Sequence, residues 1–224
     1  MHTGMLSNPS AVPSTVSRGT TMQIGETLSV PAVAMRFSRN EEIYGEDEPS
    51  EFVYQVVKGA VRTTHFLEDG RRQIGAFHLP GDIFGFDLEG TYRFSAEAIV
   101  KTELLVVRRS VLEKVMVQDP SAARSLWALA ATHLRHAQDL LVTLGRRSAI
   151  ERVSAFLLEM ARRRPGTNAT LELPMSRCDI ADYLGLTLET VSRTMSQLER
   201  AKTIALSGAR CVTLRNQSAL AESC

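Results

Sequence analysis

Cysteine is scarce in this 224-residue chain, and long apolar runs are missing from it. The three cysteines, Cys178, Cys211 and Cys224, are too few and too scattered for a disulfide framework, and none has the CxxC or Cys/His spacing of a zinc site. No stretch approaches the ~20 apolar residues that a membrane-spanning helix needs, and the first residues contain no apolar signal segment. We therefore expect a cytoplasmic protein that makes no membrane contact and holds no metal or other cofactor.

The sequence also lacks the side-chain groupings that catalysis requires. It shows no nucleophile beside a general base, no suitably spaced pair of carboxylates and no glycine-rich phosphate loop. The stretch GDIFGF, residues 81–86, is too short and has the wrong composition for a P-loop. These absences predict a protein that is not an enzyme.

The net charge is only +1, but the charges are unevenly distributed. Residues 146–224 carry 12 Lys and Arg against 8 Asp and Glu, whereas residues 1–145 carry 14 against 17. The C-terminal third is therefore basic and the remainder slightly acidic. This asymmetry indicates that one end of the molecule faces an anionic partner.

Composition and periodicity divide the N-terminal half into a tail and an all-β domain. Residues 1–25 are rich in Ser, Thr, Pro and Gly and lack periodicity, so we expect a flexible tail. Residues 26–119 contain short β-branched and aromatic runs, such as EFVYQVVKGAVRTT and RRQIGAFHL, between Gly, Pro and Asp residues. Asp69-Gly70 marks a tight hairpin turn. The spacing predicts an antiparallel barrel or sandwich.

A long helix is predicted over residues 120–145. It has neither Gly nor Pro between Ser121 and Leu144, and its apolar residues recur at alternating spacings of three and four. This stripe can pack on the chain's own barrel. Its alternation of small and large side chains favours instead a parallel dimer with a second copy, and Gly145 is expected to break or bend the helix. The residues of the stripe are Trp127, Ala130, Leu134, Ala137, Leu141 and Leu144.

Residues 146–224 are predicted to form a winged helix-turn-helix domain. In RCDIADYLGLTLETVSRTMSQL, residues 177–198, a short helix breaks at Gly185 and a second one follows Thr187 as its N-cap. Ala181 permits a close helix crossing, Gly185 a left-handed turn, and Val191 fills the angle between the helices. The stretch TIALSGARCVTL, residues 203–214, predicts a β-hairpin wing. The second helix is expected to face the core through Leu188, Val191, Met195 and Leu198.

The opposite face of the second helix is polar. Glu189, Ser192, Arg193 and Ser196 recur at i, i+3, i+4 and i+7, which places them on one side. Such a face suits a helix that reads the major groove of DNA. The alternative is an ordinary solvated face with a Glu189–Arg193 pair worth only ~0.3–0.5 kcal/mol. The helix-turn-helix spacing and the basic surroundings favour DNA reading.

The order of barrel, long helix and winged helix resembles the Crp/Fnr superfamily of bacterial transcription regulators over roughly residues 30–215. PGDIFGFD, residues 80–87, and DIADYLGLTLETVSRTMSQLE, residues 179–199, resemble its FixK-type branch, in which an E-x-x-S-R signature on the recognition helix reads TTGA-type half-sites. The resemblance implies an α+β fold: a cyclic-nucleotide-binding-like antiparallel β-barrel of jelly-roll type, a dimerisation helix and a winged helix-turn-helix. It further implies a homodimer that mainly activates transcription.

The signature assigns a role to each of its residues. Arg193 can donate two hydrogen bonds to guanine, Glu189 can accept one from the amino group of cytosine, and Ser192 can contact a neighbouring base. A two-fold dimer then requires a palindrome of the TTGA-N6-TCAA type, with half-sites about one helical turn, ~10–10.5 bp, apart. The candidates for contacts to the DNA backbone are Thr187, Ser196, Arg177 and Arg146. Family members also touch RNA polymerase through barrel loops, and the candidate loop here is Glu68, Asp69 and Gly70.

Two departures from the family pattern bear on regulation. Cyclic-AMP-binding members have Glu where this chain has Phe86, and Arg-Ser or Arg-Thr where it has Arg93-Phe94, so we expect no cyclic nucleotide. Fnr carries an N-terminal cysteine cluster for an iron–sulfur centre, whereas residues 1–50 here contain no cysteine. FixK-type regulators lack that cluster, which implies activity without a small molecule, within an oxygen-limitation or nitrogen-fixation cascade. The alternative is a Crp-like sensor that binds DNA only with a cyclic nucleotide or another ligand.

Cys178 is a candidate for control by oxidation. It follows Arg177 at the start of the first motif helix, where the helix dipole favours an anion and where such helices usually cross the phosphate backbone. Oxidation to a sulfinic or sulfonic acid would place negative charge near phosphate, and a disulfide between protomers would misplace the reading helices. The alternative is a small, inert residue that fills a gap.

Overall fold

The computed structural model of the chain describes residues 20–25, 28–87, 89–163 and 170–222. The predicted tail lies outside the described residues up to position 19. For the segment that follows, the tail prediction is wrong: Thr21–Ile24 forms strand β1, which pairs antiparallel with β2, Leu28–Pro31. Met22 and Ile24 alternate with exposed neighbours and are fully buried. A period-two pattern of only four residues is too short to be distinguished from a polar tail.

The predicted antiparallel barrel is confirmed. Its strands are β3 (Val33–Phe37), β4 (Glu42–Tyr44), β5 (Phe52–Lys58), β6 (Val61–Phe66), β7 (Arg72–His78), β8 (Ile83–Phe84), β9 (Ser95–Ala98) and β10 (Thr102–Arg108). Within the described residues they form one sheet ordered β3-β10-β5-β8 and another ordered β4-β9-β6-β7. Apolar side chains from both sheets, among them Val56, Val61 and Leu104, are buried between them.

The hairpin predicted at Asp69-Gly70 joins β6 to β7. Gly70 has a φ of 81°, a left-handed conformation that glycine adopts without steric cost. The turn is closed by the Leu67 N–H, which donates to the Arg71 carbonyl at 2.8 Å, and by the Gly70 N–H, which donates to the Leu67 carbonyl at 2.8 Å. Strand β7 stands at the edge of its sheet, where it also contacts α4 of the C-terminal domain.

Helices α1 (Arg109–Gln118), α2 (Pro120–Arg146) and α3 (Ala149–Arg162) connect the two ends of the molecule. The pattern did not predict α1, in which half of the ten residues are apolar but only Leu112 is buried. Gly145 does not break α2, because it lies in its last turn and the helix continues to Arg146. In the described ranges, no helix is both long and apolar enough to cross a membrane.

The C-terminal domain has the predicted winged helix-turn-helix architecture. Its elements are β11 (Thr170–Glu172), α4 (Arg177–Leu184), α5 (Leu188–Arg200), β12 (Ile204–Leu206), β13 (Cys211–Leu214) and α6 (Gln217–Glu222). Strands β12 and β13 form the wing in antiparallel register, with Ile204 opposite Leu214 and Leu206 opposite Val212. Strand β11 pairs with the other edge of β13.

One apolar cluster joins the barrel to the C-terminal domain. Ile74 and Phe77 of β7 belong to the same buried cluster as Phe156 of α3 and Tyr183 of α4. The Phe77 ring lies 5.1 Å from the Tyr183 ring and 6.2 Å from the Phe156 ring, measured between centroids. The helix-turn-helix therefore packs directly on the barrel, and α2 is not its sole attachment.

Candidate nucleic-acid interface

The first helix of the helix-turn-helix, α4, begins with a capping box. The Ser176 hydroxyl accepts from the Asp179 N–H at 3.1 Å, and the Asp179 carboxylate accepts from the Ser176 N–H at 2.9 Å. At the other end Gly185 has φ 60° and ψ 40°, the left-handed turn that the sequence predicts. Ala181 is 2% exposed where α4 crosses α5. The turn thus ends α4 and lets α5 cross it.

The second helix, α5, is capped as predicted, since the Thr187 hydroxyl accepts from the Thr190 N–H at 3.2 Å. Val191, Met195 and Leu198 face the core and are at most 2% exposed. The prediction that Leu188 joins them is wrong, because Leu188 is 40% exposed. Leu186, in the turn before the helix, packs against the core in its stead.

The polar face of α5 is accessible over its whole length. Glu189, Arg193 and Ser196 are exposed and Ser192 is partly exposed; these four residues are called the reading stripe below. Among the contacts of the described residues, no ion pair joins Glu189 to Arg193 or either of them to another residue. A solvated face held together by an i,i+4 pair is therefore not what the structure shows. The carboxylate and the guanidinium are both available to a partner.

Both halves of the chain match known families. A model described as a Crp-like helix-turn-helix domain matches residues 151–223, and one described as a cyclic nucleotide-binding domain matches residues 34–119. The nitrogen fixation regulation protein FixK of Azorhizobium caulinodans is 52% identical over 202 residues, which cover 88% of this chain and 80% of that protein. The chain belongs to the Crp/Fnr family. It is a transcription regulator of the FixK type and binds DNA through its helix-turn-helix.

Further relatives agree with this assignment. FixK of Rhizobium meliloti is 42% identical, with 88% of this chain and 90% of that protein covered. The solved structure of FixK2 from Bradyrhizobium japonicum is 54% identical and superposes with a TM-score of 0.83 over 86% of this chain and 97% of that one. Since the family consists of transcription regulators, the prediction that the chain is not an enzyme is confirmed.

Other candidate contacts of this FixK-type regulator surround the reading stripe. Arg146, at the end of α2, is exposed, and Arg177, the first residue of α4, is partly exposed. The Thr187 hydroxyl accepts the capping bond from the Thr190 N–H and also lies 3.0 Å from the Thr190 hydroxyl, within hydrogen-bond distance. Cys178 is an exposed free thiol at the second position of α4, and Cys211 on the wing is partly buried.

On α2 the large apolar side chains of the regulator's predicted seam are exposed. Trp127 is 79%, Leu134 59% and Leu141 72% exposed, and a spacing of seven residues places them on one face of the helix. Ala130 is also exposed. Ala137 is exposed as well and also lines a cavity beside the barrel, whereas Leu144 is half-buried next to Gly185.

Aromatic rings fill the interior of the regulator's barrel. The rings of Tyr44 and Tyr92 stack with centroids 3.6 Å apart, and those of Tyr54 and Phe84 with centroids 5.3 Å apart. The Tyr92 hydroxyl donates to the Phe52 carbonyl at 2.8 Å. Burial raises the pKa of the Tyr44 and Tyr54 hydroxyls well above the usual range. These neutral, close-packed side chains occupy the barrel's inner space.

A cavity of about 510 Å³ lies between the barrel, α2 and the C-terminal domain. His78, His133 and Arg163 are among its lining residues. Burial lowers the pKa of His78 to about 3, so its ring is neutral, and its buried Nε2 has no hydrogen-bond partner among the described residues. Phe86, which stands where cyclic-AMP-binding members have Glu, lies edge-on to the His133 ring with centroids 6.1 Å apart. In the described part of the chain, no group of three or more His, Cys, Asp or Glu is arranged to hold a metal ion.

Arg152 is a structural residue of the domain that sequence patterns did not reveal. From α3 its guanidinium donates to the Leu144 carbonyl of α2 at 2.8 Å and to the Leu184 carbonyl of α4 at 2.9 Å. It also donates to the Arg147 carbonyl between α2 and α3 at 2.9 Å. One side chain thereby caps two helices and holds the junction between them. Its partners are backbone carbonyls, which leave no signal in the sequence.

Proposed function

We propose that this regulator binds, as a homodimer, a palindrome of the TTGA-N6-TCAA type and mainly activates transcription. The reading stripe is the observation that carries the proposal, since its charged groups are exposed and unpaired. The planar fork of Arg193 fits O6 and N7 of guanine, and the Glu189 carboxylate fits the amino group of cytosine while repelling base acceptors. Ser192, between them, is placed to contact a neighbouring base.

Leu188 extends this reading face beyond the residues that the sequence pattern suggested. It is an apolar side chain, 40% exposed, at the first position of α5. In the major groove such a side chain gains free energy by contacting the methyl group of thymine. TTGA half-sites offer two thymines, so Leu188 complements the polar contacts of Glu189 and Arg193.

Dimerisation through α2 supplies a second helix-turn-helix for the other half-site. The exposed face of Trp127, Leu134 and Leu141 has the heptad spacing of a coiled-coil seam, and an unpaired apolar face of this kind favours association. A two-fold axis along α2 places the two copies of α5 in successive major grooves, ~10–10.5 bp apart.

The regulatory setting follows from the relatives. FixK proteins of Azorhizobium caulinodans and Rhizobium meliloti carry the name nitrogen fixation regulation protein, and we place this chain in a comparable oxygen-limitation or nitrogen-fixation cascade in the cytoplasm. The aromatic filling of the barrel supports activity without a cyclic nucleotide. The exposed turn of Glu68, Asp69 and Gly70 is the proposed contact to RNA polymerase.

Fluorescence anisotropy with a labelled TTGA-N6-TCAA duplex tests the proposal. Purified protein without added ligand should bind this duplex and should bind a duplex with scrambled half-sites no better than random DNA. Binding to both duplexes with the same affinity would contradict sequence-specific reading. Size-exclusion chromatography with light scattering should give the mass of a dimer, and Leu134→Asp should shift it toward the monomer.

A ligand-gated sensor is the second candidate function. The 510 Å³ cavity with the unpartnered His78 Nε2 favours it, because a buried neutral imidazole nitrogen can bind a polar group of a small molecule. The same anisotropy experiment separates the two functions. Binding that begins only after a cyclic nucleotide or a cell extract of small molecules is added would reverse our preference.

Oxidation of Cys178 is proposed as a negative control on DNA binding. The thiol is exposed at the end of α4 that faces the proposed phosphate contacts, so an acidic oxidation product would repel the DNA. Peroxide treatment should lower the affinity of the wild-type protein and leave a Cys178→Ser variant unaffected. Equal losses in both proteins would show that another group is responsible.

A further inference from the structure

A carboxylate on α4 is bound by two arginines of the barrel. The Asp179 Oδ1 accepts from Arg62 Nη1 on β6 at 2.9 Å and from Arg72 Nη2 on β7 at 2.9 Å. Its Oδ2 accepts from the Ser176 N–H at 2.9 Å and from the Ser176 hydroxyl at 2.7 Å. Asp179 therefore both caps α4 and ties this helix to the barrel, and its side chain is only 5% exposed.

Each arginine is itself held by a second acid. Arg72 donates through Nε to Asp182 at 2.8 Å, one helical turn after Asp179. Arg62 donates through Nε and Nη2 to Glu97, its cross-strand neighbour on β9, at 3.0 and 2.6 Å. We call these five residues, Arg62, Arg72, Glu97, Asp179 and Asp182, the interdomain clamp. Because Glu97 orients Arg62 from within the barrel, the clamp is preorganised on the barrel side.

The clamp supplies directional contacts that the apolar interface lacks. Phe77, Phe156 and Tyr183 bury area between the domains, but apolar contacts tolerate sliding and rotation. Forked guanidiniums bonded to two carboxylates on successive turns of α4 define one position and one rotation of that helix. Burial by itself would raise the pKa of Asp179, but the hydrogen bonds from Ser176 and the charges of Arg62 and Arg72 outweigh it and hold the pKa below its ordinary value.

The two acids that α4 contributes to the clamp lie on a different helix from the reading stripe. Asp179 and Asp182 turn toward β6 and β7, whereas Glu189 and Arg193 on α5 remain exposed in the same structure. Clamping α4 therefore leaves the DNA-reading face free. The docked arrangement shown by the structure is one in which α5 can meet a groove.

We propose that Arg62 and Arg72 are positioning residues that hold each helix-turn-helix in the orientation for reading DNA, in place of a bound ligand. This inference rests on the proposed function, because it concerns how the two helix-turn-helix domains of a dimer align with the two half-sites of one palindrome. The two helix-turn-helix domains of a dimer bind simultaneously only if their orientation matches both half-sites. When it does not, the gain in affinity from simultaneous binding is lost.

The test compares a duplex that has both half-sites with one that has a single half-site. Without ligand, the Arg62→Gln/Arg72→Gln variant should lose at least ~10-fold in affinity for the palindrome but less than ~2-fold for the single half-site. The matched control, Arg36→Gln/Arg71→Gln, removes the same charge from barrel arginines whose side chains are 73% and 76% exposed, and should keep both affinities. An equal loss on the two duplexes, or no loss on the palindrome, would overturn the inference.

Small-angle X-ray scattering of the DNA-free protein gives a readout that does not depend on the proposed function. Release of the clamp should increase the radius of gyration of the Arg62→Gln/Arg72→Gln variant relative to the wild type and the control, with an unchanged circular dichroism spectrum. If wild-type protein fails to bind the palindrome, the proposed function fails while the scattering still decides whether the clamp exists. Unchanged scattering would overturn the clamp even if the wild type binds DNA.

A milder variant decides the matter if the double variant does not fold. Asp182 is 30% exposed and contacts Arg72 alone among the clamp arginines, so Asp182→Asn should leave the fold intact. It should lower the ratio of palindrome affinity to half-site affinity by about 3-fold, because the amide oxygen of the introduced asparagine still accepts from Arg72 and only the charge of the acceptor is lost. A ratio equal to that of the wild type would overturn the proposal.

Discussion

The two helices of the helix-turn-helix use charge in opposite ways. On α4, Asp179 is buried and its oxygens are occupied by Ser176, Arg62 and Arg72. On α5, Glu189 and Arg193 are exposed and have no ion-pair partner among the described residues. A charge whose bonds are satisfied inside the protein positions the backbone around it, whereas an exposed charge without a partner is available to another molecule.

Removal of the buried charge tests the α4 side of this comparison and should have the largest effect. Asp179→Ala leaves two largely buried guanidiniums without a common acceptor and also removes the capping box, so we expect a loss of about 3–5 kcal/mol in the free energy of unfolding. Urea denaturation measures it. The control Ser176→Ala removes the hydroxyl that caps α4 but leaves both arginine contacts of Asp179 in place, and it should cost about 1 kcal/mol. Equal losses in the two variants would show that Asp179 acts as a cap and nothing more.

Removal of an exposed charge tests the α5 side. Arg193→Ala should leave the free energy of unfolding unchanged, because the side chain has no partner in the protein, and should reduce discrimination at one guanine of the half-site by ~1–3 kcal/mol. Competition anisotropy with single-base variants of the palindrome provides the measurement. Arg146→Ala, which removes a proposed phosphate contact, should instead weaken binding to all duplexes alike. A uniform loss in Arg193→Ala would refute base reading by this residue.

Leu188 allows the same kind of test for an exposed apolar side chain on the reading face. Leu188→Ala should weaken binding to TTGA half-sites by about 1 kcal/mol, because a thymine methyl contact is lost. The difference in affinity between wild type and Leu188→Ala should disappear on a duplex in which uracil replaces the thymines. The stability of the protein should change little, since Leu188 is 40% exposed. A loss that persists with uracil would show that Leu188 does not contact the methyl groups.

The pH dependence of the free energy of unfolding also distinguishes the two helices, and this is the smallest of the expected effects. The pKa of Asp179 lies below its ordinary value of 3.8 in the folded protein, so its contribution is fully present above that value and is lost as the pH falls through the folded pKa. Below about pH 4, the free energy of unfolding of the wild type should fall more steeply than that of Asp179→Asn. Glu189→Gln is the control and should follow the wild type. Parallel curves for wild type and Asp179→Asn would contradict a stabilising role of the ionised carboxylate.

Local patterns predicted much of the fold and of the reading face. The Asp69-Gly70 turn, the Thr187 cap, the left-handed Gly185 and the wing register depend on residues close together in the chain, where backbone preferences decide the conformation. The strand Thr21–Ile24 and helix α1 were not predicted because their apolar patterns are short. Both elements gain their stability from packing on the barrel. The exposure of Leu188 was not predicted because helical periodicity does not show where the neighbouring helix ends.

The sequence by itself determined the order of the elements, the helix-turn-helix and the identity of the residues on the reading stripe, since each follows from spacings within a few helical turns. Only the tertiary structure decided that Asp179 meets Arg62 and Arg72, which are more than a hundred positions away in the chain. Strand register and domain docking bring these charges together, and neither is encoded in a local pattern. The same packing left Glu189 and Arg193 exposed, which separates the charges that hold the domain from those offered to DNA.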